Sequence, residues 1–332
     1  MHWACWFVFA GLAAAQAWDP QVSNSKASLR GLSAVDAKVA WASGSGGTFL
    51  HTSDGGATWQ AGQVPDAGTL DFRGIRAIDA RTVYLLSSGP GDKSQIYKTR
   101  DGGATWKRQF TNPDTKGFLD AIAFWDARHG MVLGDPVDGA FSIFTTDDGG
   151  ENWTRKTGPA AVANEGAFAA SNTCLTVRGK QEAWFGSGGV GGARVFHTKD
   201  GGRTWTISAS GIRNDSASAG IFSVAFMNGK TGIAVGGDYA KDKEDRLNAA
   251  RSDSAGATWG AATGPKGFRS AVAYVPKRKL WIAAGTSGSD VSTDGGKTWK
   301  TFDTGSFNAI SFTTDGTGWA AGAGGRIARF RK

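Results

Sequence analysis

The side chains that could do chemistry in this chain are mostly carboxylates. A pair such as Asp120 with Asp135 or Glu165 has the residue types of a glycosidase, where one carboxyl protonates the leaving oxygen and the other serves as base or nucleophile. Tyr239 lies in the charge-dense run 236–246, beside Asp238 and Lys241, and of the four tyrosines it alone has carboxylates close by in a surface loop. His51 and His197 each precede a turn motif and His129 falls in a strand-to-strand turn, so none is placed as a general base. Three arginines suggest binding instead. Leu29-Arg30, Phe72-Arg73 and Phe268-Arg269 repeat one pattern, and converging guanidinium groups hold an anion through paired hydrogen bonds. No metal-ligand spacing, nucleotide-binding glycine loop or serine triad occurs, so no metal or cofactor is expected. Cys174, in the apolar run 173–177, reads as a small buried hydrophobe.

The elements that must position these residues announce themselves through a repeat. Thr52-Ser53-Asp54-Gly55-Gly56-Ala57-Thr58-Trp59 returns around Asp101 and Trp106, Asp148 and Trp153, Asp200 and Trp205, Ser254 and Trp259, and Asp294 and Trp299. Each copy reads as a hairpin turn. The aspartate can accept backbone N–H bonds two residues on, and Gly-Gly supplies the positive φ. The tryptophan offers a flat face for packing between neighbouring units. The copy at Ser254 lacks the carboxylate and the first glycine, so a looser turn is expected there. Each copy has too few carboxylates for a calcium loop. The six aspartate or serine positions and their tryptophans are therefore structural.

Composition agrees with a turn-rich all-β chain: 50 of 332 residues are glycine, 14 are tryptophan and eight are proline. Short alternating strands precede each turn, four to a unit of about 45 residues, which is the pattern of a β-propeller blade. Six units end in the turn motif. A seventh begins at Phe307-Asn308-Ala309-Ile310 and stops after three strands, and Trp18-Asp19-Pro20-Gln21-Val22 supplies the fourth. The expectation is one domain over residues 18–332, a seven-bladed propeller sealed by its two termini. The first strand of each blade then lines the channel. Arg30, Arg73, Asp120, Glu165, Arg269 and Asn308 are expected at one channel mouth. Asp135, Asp138, Asp238, Tyr239 and Lys241 join them from the loops between second and third strands, with the turn motifs on the opposite face.

The turn motif is the Asp-box, or bacterial neuraminidase repeat, which sialidases, xyloglucanases and sortilin-type receptors share. The runs Leu29-Arg30-Gly31-Leu32 and Phe72-Arg73-Gly74-Ile75 are more specific. With Gly134-Asp135-Pro136-Val137-Asp138-Gly139 and the C-terminal segment 322–330 they resemble the photosystem II stability/assembly factor family of seven-bladed propellers, the last two its non-photosynthetic bacterial branch. The resemblance covers residues 18–332. It implies a non-enzymatic scaffold that binds a protein partner through an arginine-rich patch, here Arg30, Arg73 and Arg269. Where those blades carry arginine, the others carry Asp120, Ala169, Ser223 and Asn308, so the patch is diluted and mixed with an acid. The alternative is a carbohydrate-active enzyme. The chain has no sialidase-type Arg-Ile-Pro start, and it holds one propeller where a xyloglucanase-like cleft needs two.

Residues 3–14 are an apolar run too short to span a bilayer, followed by the small-x-small site Ala15-Gln16-Ala17. This reads as a secretory leader over residues 1–17, cut after Ala17, and the expectation is an exported monomer that does not span the membrane. The net charge is +8, yet no basic run exceeds Lys277-Arg278-Lys279, so the expected partner is a protein or anionic ligand rather than nucleic acid.

Overall fold

Short strands alternating in polarity bury one face each, and sheets built from them must stack to hide the other. The computed structural model describes residues 16–331, where the chain forms seven antiparallel sheets of four strands. Blade 1 runs Leu29–Ala34, Ala40–Gly44, Thr48–Thr52 and Gln60–Gln63. The first strands of blades 2 to 7 are Phe72–Ala77, Leu119–Phe124, Leu175–Arg178, Ala219–Phe226, Ala271–Val275 and Ala309–Phe312. Each packs against the first strand of the next blade, and that of blade 7 against that of blade 1. The ring closes as the sequence predicts. Trp18–Gln21 pairs antiparallel with Ile327–Phe330, Trp18 opposite Phe330, which gives the last blade its fourth strand and covers the edge of Ile327–Phe330. The leader expected over residues 1–17 lies outside the described residues except for Gln16 and Ala17.

The apolar core is divided into seven clusters, each shared by two adjacent blades. The six Asp-box tryptophans sit in these seams, as their size and flatness imply. Trp106 of blade 2 packs on Trp41 and Phe49 of blade 1, and Trp153 of blade 3 on Phe124, with Tyr84 of blade 2 in the same cluster. Trp18 takes the corresponding place at the seventh seam. Cys174 is wholly buried.

The Asp-box turns differ from expectation in one detail. The aspartate accepts from four residues on, Thr58 donating its N–H to Asp54 Oδ1 at 3.0 Å and its hydroxyl to Oδ2 at 2.6 Å, and Asp148, Asp200 and Asp294 accept the N–H three residues on as well. The opening threonine serves as second hub, with Gly56 N–H on Thr52 Oγ1 at 2.8 Å. The two-residue turn occurs instead between first and second strands, where Asp36 Oδ1 accepts from Lys38 and Val39 at 2.7 and 2.8 Å. The degenerate copy is not looser. Ser254 Oγ replaces the carboxylate, accepting from Thr258 N–H at 2.9 Å, and Ala255 adopts the first glycine's conformation at φ 58°.

Candidate binding site at the channel mouth

Four of the seven inner strands carry the same irregularity. Their pairing with the second strand slips by one residue, and the extra residue is Arg30, Arg73, Asp120 or Phe222. A β-bulge leaves its extra residue out of the ladder and re-aims the side chain. All four line one pocket of about 470 Å³ at the mouth. A second irregularity, between Gly134 and Pro136, turns Asp135 into the same space.

Blade 4 closes the channel beneath this pocket. Its inner strand begins only at Leu175, and the preceding segment crosses the ring. Ser171 donates to the Ser270 carbonyl of blade 6 at 2.7 Å and Thr173 to Ser223 of blade 5 at 2.7 Å. Asn172 donates to the carbonyls of Ile75 and Ile122 at 3.2 and 3.1 Å and accepts from Ile122 N–H at 2.8 Å, tying blades 2 and 3 to the crossing segment. Ala169 and Ala170 face the mouth while Asn172 faces the chamber on the other side. The mouth is a blind pocket, not a pore.

Charge is segregated within it. Arg30 is half-buried, and no hydrogen bond or ion pair engages its guanidinium among the described residues. Burial and then the charge of Arg73 lower its pKa, opposed by Asp71. Arg73 donates Nε to Asp71 at 2.7 Å. Asp120, on blade 3, is 1% exposed, and neither of its carboxyl oxygens meets a donor at bonding geometry. The nearby Asp135 N–H is committed to the Phe118 carbonyl at 2.8 Å. Burial, then the charge of Asp135, raises Asp120 well above the carboxylate range, against a weaker pull from Arg73. Burial lifts Asp135 to about 6 although it accepts from Ala167 N–H at 2.8 Å. Blades 4 to 6 complete the pocket with aromatic rings. Phe168 and Phe222 stack with centroids 3.8 Å apart, while Tyr239 and Phe268 meet them edge-on.

Residues 290–301 match the model of the BNR/Asp-box repeat. The chain is a seven-bladed propeller that carries the Asp-box repeat. No curated protein matches its sequence. Among solved structures it is similar to "YCF48 bound to D1 peptide", with a TM-score of 0.67 and 19% identity over 95% of both chains. YCF48 from Cyanidioschyzon merolae gives a TM-score of 0.67 at 16% identity, covering 96% of this chain and 99% of that one. A GH74 enzyme of Niastella koreensis gives 0.64 at 16% identity, over 93% of this chain but only 53% of the other. At these identities the likeness establishes the fold.

Several residues expected at the mouth of this propeller lie elsewhere. Arg269 is wholly buried. It donates to Asp290 at 2.5 Å, to the carbonyls of Phe268 and Lys266 at 2.7 and 2.8 Å, and to Ser287 at 2.8 Å. It cannot offer its charge to a ligand, because Phe268-Arg269-Ser270 precedes an inner strand that pairs Ala271 with Ala284 without the bulge. Glu165 is buried too, held by Ser187 at 2.6 Å and by Arg194. Asp238 accepts from Ser216, Ser218 and Ala240 N–H at 2.9, 2.7 and 2.9 Å. The loop beyond it is salt-bridged, with Arg213 on Asp215 and Glu244 and Lys241 near Glu244. Asp138 is exposed in a turn at φ 52°. Asn308 lines the pocket but spends its amide on the Leu29 carbonyl at 2.8 Å. In blade 5 the aimed residue is Phe222 and not Ser223, and in blade 4 Phe168 and Ala169 belong to the crossing segment. Of the aromatic wall the sequence pointed to Tyr239 alone, and Phe168, Phe222 and Phe268 were missed.

Proposed function

We propose that this chain is an exported, non-enzymatic scaffold that captures a protein partner at the channel mouth, with a carboxylate of that partner set against Arg30 and Arg73. One observation carries this reading: Arg30 lines a blind pocket with its guanidinium short of water and bonded to no acceptor among the described residues. A partly desolvated guanidinium with no bonded acceptor gains when one is supplied, and a carboxylate matches its fork. The peptide-bound YCF48 structure, matched over 95% of both chains, supports a peptide as the occupant. Export rests on the leader read over residues 1–17.

A glycosidase is the second reading, favoured by two carboxylates with raised pKa values in one pocket. Asp120 and Asp135 belong to neighbouring strands of a single blade, so they approach from one wall. Acid and base must instead flank the scissile bond. Binding of peptides with free or amidated C termini separates the readings. Arg30→Glu/Arg73→Glu abolishes capture of the free-carboxylate peptides at an unchanged melting temperature. Capture that survives the double reversal overturns the scaffold reading, and glycoside turnover lost in Asp120→Asn establishes the enzyme.

A further inference from the structure

We propose that Asp120 and Asp135 form a second subsite in the mouth pocket, one that receives the ammonium or guanidinium group of a lysine or arginine side chain on the bound peptide. This rests on the peptide reading above and adds to it a second anchor of opposite charge.

The pocket prepares this subsite in three ways. Asp120 lines the pocket with both carboxyl oxygens buried and without a donor, in a residue 1% exposed. A buried carboxyl with no donor on either oxygen is costly, and a ligand donor removes the cost. Asp135 uses Oδ1 on Ala167 N–H, and no protein donor meets its Oδ2 among the described residues. The guanidinium whose charge reaches Asp120 makes its hydrogen bond elsewhere, since Arg73 donates Nε to Asp71 at 2.7 Å. The rings of Phe168, Phe222 and Tyr239 share the pocket with the acids. Aromatic faces beside carboxylates favour organic cations, whose alkyl stems pack on the rings.

The charged and titratable groups around Asp120 are Arg73 from blade 2, Asp135 from the adjacent strand and the Cys174 thiol of blade 4. That thiol is itself pushed up by burial and by both aspartates. Asp120 is raised well above its usual range and Asp135 to about 6, so the pair keeps a proton to higher pH than ordinary carboxylates do. An arriving cation takes the proton's place: the proton leaves to solvent and the carboxylate pairs with the ligand nitrogen. The occupant is dipolar, its carboxylate on blades 1 and 2, its cation on blade 3 and its apolar body along the rings.

Calorimetry on the whole chain with n-butylammonium and ethylguanidinium tests this, with butanol and calcium as controls and acetate as a separate anion arm. Titrations in two buffers of different ionisation enthalpy count protons. Both organic cations should bind saturably near pH 7 and release a proton. Affinity should rise about tenfold as the pH is raised through the Asp135 range. Asp120→Asn should weaken the cations by about tenfold or more at an undiminished melting temperature, while Arg30→Ala leaves them bound. Acetate should respond in the opposite manner to the two variants. Absent cation binding, equal binding by Asp120→Asn, or butanol or calcium bound as well as the ammonium overturns the subsite. Loss of the acetate arm alone overturns the anion site and leaves the cation subsite standing.

Discussion

Asp71 holds the Nε of Arg73 at 2.7 Å, and the guanidinium whose charge reaches Asp120 is thereby tied to a different carboxylate. The two partners are 31% and 27% exposed, so the pair itself contributes at most about 1 kcal/mol. Its importance is directional, because it keeps the cationic and acidic halves of the mouth from neutralising each other. Asp71→Ala should leave stability within about 1 kcal/mol of the wild type. It also adds one positive charge to the mouth, so acetate affinity should rise severalfold with a steeper salt dependence. An affinity unchanged across salt would remove Arg73 from the anion site.

Arg269 and Arg30 stand in the same short sequence pattern but in opposite environments. Arg269→Met leaves Asp290 buried with only Thr301 on its other oxygen, at 2.6 Å, and should cost about 3–5 kcal/mol. Arg30→Met removes a half-buried cation that no partner holds, and should change stability by less than about 1 kcal/mol. Urea denaturation of the two variants measures the difference, and equal costs would contradict the assignment of Arg269 to the framework.

That contrast shows where the sequence was legible. The seven-fold ring could be read because the Asp-box repeats nearly unchanged, its hydrogen bonds being local to eight residues. Arg30, Arg73 and Asp120 could be read because the residues after each follow one strand pattern. Arg269 could not, since the same Phe-Arg string there falls just before its strand, and register is settled by pairing across the sheet. Phe222 hid for a related reason: an apolar residue in a strand looks like core, and only the one-residue slip against Gly236 and Val235 aims it at the mouth. Glu165 could not be distinguished from a site residue because its partner, Arg194, is distant in sequence. The crossing segment at Asn172 leaves no periodic signal at all.

Asn172 is the hub of that crossing. Asn172→Ala strands the Ile122 N–H and two carbonyls in the channel, for a loss of about 1–3 kcal/mol. The φ of 67° adds strain for alanine that glycine avoids. Asn172→Gly should therefore be the less destabilised of the two in thermal melts. The reverse order would mean that the side-chain bonds and backbone conformation do not govern this position.

Stability should depend on pH with two limbs of opposite sign. Bonds from Thr58, Thr105, Asn152 and Thr204 hold Asp54, Asp101, Asp148 and Asp200 down at about 2. A depressed folded pKa contributes stability above the unfolded value, about 4, which is lost as pH falls toward 2. Asp135, raised to about 6, acts the other way. Its protonated form is favoured by folding, so stability declines as pH rises from about 4 to 6, by about 3 kcal/mol at most, and Asp120 extends the decline. The melting temperature should peak between about pH 4 and 5. Asp120→Asn should flatten the limb above the peak and leave the acid limb in place. A variant that parallels the wild type across the whole range would show that Asp120 is not a buried carboxyl.

The ring's closure rests on Trp18. Its indole meets Phe330 at 5.1 Å and Phe307 at 5.7 Å, and donates across the seam to Ser289 of blade 6 at 3.0 Å. It does for the seventh seam what the Asp-box tryptophans do for the other six, although it is not part of an Asp-box. Trp18→Ala should cost about 3–5 kcal/mol, as for other buried aromatic truncations. Deleting residues 1–22 is the stronger test, since it also bares the backbone edge of Ile327–Phe330, and an open edge is a template for pairing with another chain. The truncated protein should melt lower and elute from a sizing column as dimer or larger, and a peptide of residues 18–22 in excess should reverse the association. Cutting after Ala17 preserves Trp18 and, among the described residues, gives up the Arg331 N–H bond to the Ala17 carbonyl, at 2.9 Å. Closure is therefore compatible with leader removal at that point and not with removal a few residues later. A monomeric, equally stable truncation would mean that the seam between blades 6 and 7 holds without its tryptophan.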